Sequence, residues 1–180
     1  MGAVRILEWL APAVPAEAVD WDGVYRAEMP RVFNYFRYRG LPRATAEDLT
    51  SATFEKAWRA RDRYRREQAA VSTWLLAIAR NVAIDHFRRS RPEVPLAQDI
   101  AKDEASPETA ALHAGQSVRL AELLGRLPER ERELLALKYG ADATNRAIAT
   151  ITGLSESNVG TILHRTVVSL RARWDEGGPR

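Results

Sequence analysis

The sequence contains no cysteine among its 180 residues. That absence excludes a disulfide framework, a thiolate-held zinc ion and a cysteine nucleophile, and it fits a reducing compartment. Histidine is nearly as scarce: His86, His113 and His164 are all there is, and their separations match no metal-ligand spacing. There is no Gly-rich phosphate loop ending in Lys-Ser/Thr, no His-Glu-x-x-His and no Gly-x-Ser-x-Gly turn. No metal, no cofactor and no catalytic residues are therefore expected. Long apolar runs are missing too. Residues 1–20 carry Ile6, Leu7, Trp9 and Leu10, but Arg5 and Glu8 interrupt them, and the run is too short for a signal peptide or a membrane span. A cytoplasmic chain without membrane insertion is the expectation.

Excess charge of either sign is small overall, at +3, yet it is unevenly spread. Residues 56–91 hold ten Lys and Arg against three Asp and Glu, whereas residues 92–117 hold one against five. A concentrated basic block suits a polyanion, because neutralising phosphates releases condensed counterions; a solvated basic face gives the same count.

The apolar positions that are present recur at helical spacing, and strand-like alternation is absent. Trp21 to Tyr38 reads as one helix with Val24, Val32, Phe33 and Phe36 inside. After a Gly40-Leu41-Pro42 break, Ala44 to Arg61 reads as a second, with Leu49, Ala52, Phe54 and Trp58 inside. Beyond a polar stretch at 63–69, Val71, Leu75, Ile78, Val82 and Phe87 form the stripe of a third. Pro92 and Pro95 then open an acidic segment without a sustained period, read as a flexible linker. The expected organisation is all-α. It comprises an extension at 1–20, a helical domain at 21–91, a linker at 92–117, a second helical domain at 118–175 and a tail at 176–180.

In the second domain, Pro128 can open a helix over 129–139, which Gly140 ends, and Asp142 or Thr144 can cap the next. Ala149, Gly153 and Val159 follow at offsets of four and ten. These are the small residue, turn glycine and locking apolar residue of a helix-turn-helix, although an ordinary helical hairpin shares the first two. Ser155 is positioned to cap the second helix. Ser157, Asn158, Thr161, His164 and Arg165 share its outer side, where side chains could enter a major groove.

In the basic block, Tyr64, Arg65 and Arg66 precede a helix bearing Trp74, Arg80, Asn81, Asp85, Arg88 and Arg89. Aromatic rings beside guanidinium groups hold unstacked bases and grip backbone phosphates. The same spacing also fits a core tryptophan with solubilising arginines.

Taken together, three motifs in this order resemble a bacterial sigma factor of the extracytoplasmic-function group. They are Ala46-Glu47-Asp48-Leu49 with Phe54 and Ala57-Trp58, then Thr73 to His86, then Leu127-Pro128-Glu129-Arg130-Glu131-Arg132-Glu133. The resemblance implies a non-enzymatic subunit that binds RNA polymerase core through its beta and beta-prime subunits, recognises promoter DNA and promotes its opening for transcription initiation. It implies polymerase contacts at Glu47, Asp48, Leu49, Ser51 and Phe54, and minus-ten DNA contacts at Tyr64, Arg65, Arg66, Trp74, Arg80, Asn81, Asp85, Arg88 and Arg89. It places minus-thirty-five contacts at Ser155, Ser157, Asn158, Thr161, His164 and Arg165. An anti-sigma factor is a further implied partner. The chain departs from the family pattern at Ser51 and Ala52, at Ala147, and at Gly160 and Ile162 on the recognition helix. The alternative is a helix-turn-helix regulator that never acts as a sigma subunit, and its discriminator is the aromatic and basic surface of the first domain.

Overall fold

The computed structural model describes residues 19–89 and 119–176. The expected linker at 92–117, most of the extension at 1–20 and most of the tail at 176–180 lie outside the described residues. Among the described residues every regular element is a helix.

Helix α1 spans Trp21–Tyr38, and the Asp20 side chain caps it by accepting from the Gly23 amide at 2.9 Å. It ends where Gly40 takes a left-handed φ of 85° and the Leu41 amide donates back to the Phe36 carbonyl at 3.3 Å. Pro42 precedes α2, Arg43–Ala60, which tightens into a 3₁₀ turn at Arg61–Arg63. Helix α3 covers Val71–Arg89. It buries Leu75, Leu76, Ala79, Val82 and Ala83, a wider surface than one stripe.

The second lobe begins with a helix, α4, at 119–125. Helix α5, Glu129–Leu135, runs on into a wider π turn at Ala136–Gly140. Helices α6, Asn145–Thr152, and α7, Glu156–Glu176, complete it. Of the two candidate caps for α6, Thr144 is the one used, accepting from the Ala147 amide at 3.1 Å.

One apolar cluster runs through both lobes. It joins Val32, Tyr35 and Phe36 of α1 and Leu76, Ala79 and Val82 of α3 to Leu134, Leu137, Ile148 and Val159 of the second lobe. The α5 π turn packs on α1, and α6 packs on α3. Trp58, expected inside, is 55% exposed. Its place on the inner side of α2 is taken by the smaller Thr50, Thr53 and Ala57.

Candidate nucleic-acid and polymerase interface

The loop between the 3₁₀ turn and α3 is built around three aromatic rings. Tyr64, Trp21 and Trp74 form a triangle with centroid separations of 6.0, 5.9 and 5.2 Å. Tyr64 is only 7% exposed, and its hydroxyl donates to the Ala69 carbonyl at 3.1 Å. Burial pushes this phenol above its ordinary range, the Glu67 charge adding slightly to the rise and Arg66 opposing it. Tyr64 therefore faces inward and anchors the loop instead of presenting its ring outward. Trp74 is half-buried in the same triangle.

What the triangle supports is a polar, basic rim. Arg66, Asn81, Arg88 and Arg89 are exposed, and Arg65 is half-buried, bonded to the Asp62 and Tyr64 carbonyls. Asp85 lies 3.6 Å from the Lys56 ammonium and 3.2 Å from Arg88, so it braces the rim. Arg80 departs from the others: its guanidinium turns to the second lobe and meets Glu133 at 3.1 Å.

Along α2, Glu47, Asp48, Ser51, Glu55 and Trp58 form an exposed stripe. Leu49 is half-buried beneath it. Glu47 pairs with Arg43 at 3.0 Å, and the Ser51 hydroxyl donates back to the Glu47 carbonyl at 3.0 Å. Phe54 is half-buried and meets Tyr25 edge-on at 4.7 Å. Tyr25, 50% exposed, and Trp58 border a groove of about 180 Å³. Sequence spacing missed Tyr25 altogether. Its only signal was a polar-flanked aromatic on the outer face of α1.

The helix-turn-helix has the local geometry its sequence demands. Gly153 adopts φ 76°, Ser155 caps α7 by accepting from the Asn158 amide at 3.2 Å, and Val159 is fully buried. Ser157, Asn158, Thr161, His164 and Arg165 all stand exposed on α7. Thr161 donates to the Ser157 carbonyl at 3.0 Å, so that hydroxyl is partly engaged within the helix. Arg146 on α6 is a further exposed cation beside this surface.

These features match two family models, Sigma-70 region 2 over residues 24–93 and Sigma-70, region 4 over residues 117–170. The chain is 30% identical over 144 residues, 78% of its length, to the ECF RNA polymerase sigma factor RpoE of Cereibacter sphaeroides, of which it covers 77%. It belongs to the extracytoplasmic-function sigma factors. It is similar to the ECF RNA polymerase sigma factor BldN of Streptomyces coelicolor, with 30% identity over 172 residues, 93% of this chain and 65% of BldN. Its fold is similar to that of CnrH in complex with the cytosolic domain of CnrY, with a TM-score of 0.69 and 22% identity over 91% of this chain and 94% of CnrH. It is also similar in fold to the sigma factor RpoE in complex with the anti-sigma factor NepR from Bartonella quintana. There the TM-score is 0.67 and identity 16% over 88% of this chain and 99% of RpoE. The first lobe is thus region two and the second region four. Among the described residues, no helix is long and apolar enough to cross a membrane, and no group of side chains could hold a metal ion.

Regions two and four meet across a charged seam. Arg39 at the end of α1 has a side chain only 1% exposed and reaches Glu133 and Glu129, each at 3.1 Å. Its guanidinium also lies over the Phe87 ring, 4.8 Å from the centroid. Glu133, with 11% of its side chain exposed, accepts from Arg39 and Arg80 on the same oxygen. Farther along α1, Arg31 donates to the Ala141 carbonyl at 2.9 Å and the Asp142 carbonyl at 3.1 Å. Arg132 turns the other way, donating to the Leu124, Gly125 and Leu127 carbonyls. Burial first, and the nearby Arg39 charge second, lower its affinity for its proton.

Proposed function

We propose that this sigma factor divides its work by surface. The α2 stripe of Glu47, Asp48 and Ser51, backed by Leu49 and Phe54, binds the beta-prime subunit of RNA polymerase core. The loop at 64–70 and the outer side of α3 engage the opened non-template strand of the minus-ten element. The outer side of α7 reads the minus-thirty-five element. The observation that carries this reading is the region-two surface: an aromatic-anchored loop with Arg66, Asn81, Arg88 and Arg89 exposed beside it. A regulator that binds only duplex DNA has no use for it. Capturing an unstacked base there offsets the free energy of breaking its pair.

Within that division Tyr64 and Trp74 act as pillars, and Asp85 holds Lys56 and Arg88 in place. Ser155 acts as a helix cap at the edge of the upstream-element surface. The chain carries out no turnover of its own and works in the cytoplasm, where core polymerase is. The solved complex of RpoE with NepR supports an anti-sigma factor as a further partner. The boundaries that fit this reading are a region two at 21–91 and a region four at 118–175, joined by 92–117.

Titration of the full chain with core polymerase tests the reading. Tight binding to core, with promoter-specific DNA binding appearing only in the complex, is the expected outcome. Specific duplex binding without core, together with no affinity for core, would favour a simple helix-turn-helix regulator.

A further inference from the structure

The first two turns of α7 carry no positive charge. Residues 156–163 read Glu-Ser-Asn-Val-Gly-Thr-Ile-Leu, and Ile162 packs against the core cluster. Arg165, one turn on, and Arg146 on α6 are exposed cations at the borders of this stretch. Attraction to phosphates is indifferent to sequence, so a helix start without cations holds DNA by fit.

Gly160 has no reason to be glycine inside the protein. It lies in the middle of α7, where glycine is a poorer helix former than alanine. The left-handed glycines among the described residues are Gly40 and Gly153, so Gly160 needs no special φ. A Cβ added to it would meet the Asn145 Nδ2 at 3.6 Å, an ordinary van der Waals distance. Helix packing therefore leaves room for a side chain that the chain does not carry. Gly160 is half-buried and stands three residues after Ser157 and four before His164, at the edge of the exposed patch that turns toward Asn145 at the start of α6. A bare backbone at such a place permits close approach of a ligand.

Thr161, the next residue, sits at the centre of that patch. Ser157 and Asn158 lie one turn before it, and His164 and Arg165 one turn after, all exposed. Its hydroxyl donates to the Ser157 carbonyl at 3.0 Å. A hydroxyl has one proton, so while this bond stands Thr161 cannot donate to guanine O6 or N7, adenine N7 or thymine O4. Its methyl stays free, and the apolar group that a base pair shows in the major groove is the thymine C5-methyl.

We propose that Gly160 and Thr161 are the specificity-determining pair of the upstream-element surface. The missing side chain at Gly160 lets the DNA come against the junction of α6 and α7, and at that depth the Thr161 methyl packs on the C5-methyl of one thymine. The inference rests on the reading of α7 given above and names the base that its centre prefers.

The probe is a duplex bearing the upstream element shared by promoters that the natural chain and core polymerase transcribe from genomic fragments. Each thymine of the element, on either strand, is replaced in turn by deoxyuridine, which removes only the C5-methyl. One replacement is expected to weaken holoenzyme binding about fourfold, as the loss of one buried methyl group does. Thr161→Val keeps the methyl and should keep that preference. Thr161→Ser keeps the hydroxyl and its bond to Ser157, and should abolish it. Any other pattern would overturn the methyl contact, above all the reverse one, in which the hydroxyl reads a base; so would equal binding of every deoxyuridine probe. Gly160→Ala should raise the melting temperature of the chain yet bind the unsubstituted probe several-fold more weakly. Unchanged binding would overturn the role of Gly160, and so would an unraised melting temperature, which would show that the fold itself needs the glycine. Holoenzyme whose promoters share no upstream element would overturn the reading of α7, and the pair with it.

Discussion

The Tyr64 hydroxyl and the Ala69 carbonyl, 3.1 Å apart, close the loop that leads into α3. This bond ties the two ends of the loop together beside the Trp21 and Trp74 rings, which Tyr64 contacts. Removing it with Tyr64→Phe should lower stability by about 1 kcal/mol, as for a typical net hydrogen bond. Tyr64→Ala, which also removes the ring, should cost more and weaken binding of a minus-ten non-template oligonucleotide by the core complex. Urea unfolding and oligonucleotide titration check the two effects. An outward-facing Tyr64 would instead weaken oligonucleotide binding with stability unchanged.

Tyr35 offers the opposite case. It is fully buried, and its hydroxyl has no hydrogen-bond partner in the structure. A buried unpaired polar group costs about 1–3 kcal/mol, so Tyr35→Phe should be neutral or stabilising at neutral pH. Burial also pushes the Tyr35 phenol well above its ordinary range, with Arg39 opposing and Glu133 reinforcing that shift. A raised folded-state pKa means the unfolded chain releases its proton first, so stability is intact below the ordinary tyrosine range and falls as pH rises through and above about 10. Denaturant midpoints from pH 8 to 11 should show Tyr35→Phe losing less stability than the natural chain at the alkaline end.

Asn81→Ala and Asp48→Ala should fail at different steps. Both side chains are exposed, one on α3 and one on α2. Asn81→Ala should leave core binding intact but lower open-complex formation, with partial recovery on a pre-melted template, because the lost contact offsets unpairing. Asp48→Ala should weaken holoenzyme assembly on either template. Permanganate footprinting on duplex and bubble templates, with a core titration, separates them. Lost core affinity with normal opening in Asn81→Ala would exchange the two assignments.

On region four, Arg165→Ala should weaken promoters that depend on the upstream element by about 1–3 kcal/mol if the arginine reads a base, or lower the salt dependence if it grips a phosphate. Gly153→Ala should act through folding. At φ 76° a side chain is strained even though a Cβ there meets nothing within 4 Å, so a loss of about 1–2 kcal/mol is expected. Transcription from matched promoter variants at two salt concentrations, and thermal melts, provide the readouts.

Much of this was legible in the residues. The apolar spacing from Trp21 and the Gly40-Leu41-Pro42 break delimit Trp21–Tyr38, and the Ala149, Gly153 and Val159 spacing locates the helix-turn-helix. Burial at large amphipathic residues was not legible. Trp58 was expected inside and lies out, Tyr64 was expected at the DNA and lies in, since an aromatic with a polar atom satisfies either environment. The packing of the lobes was hidden for another reason. Arg39 and Glu133 are 94 positions apart, and in sequence each reads as one more surface charge. Only the tertiary approach of the lobes makes them a buried pair, and breaking such a pair costs about 3–5 kcal/mol.

Transcription itself is the most direct measure. Purified chain, core polymerase and a library of genomic fragments should yield transcripts whose 5′ ends cluster at fixed distances downstream of two shared sequence elements. Those starts should be absent with core alone and fewer with Asn81→Ala or Asp48→Ala. Start sites no different from those of core alone would contradict the account.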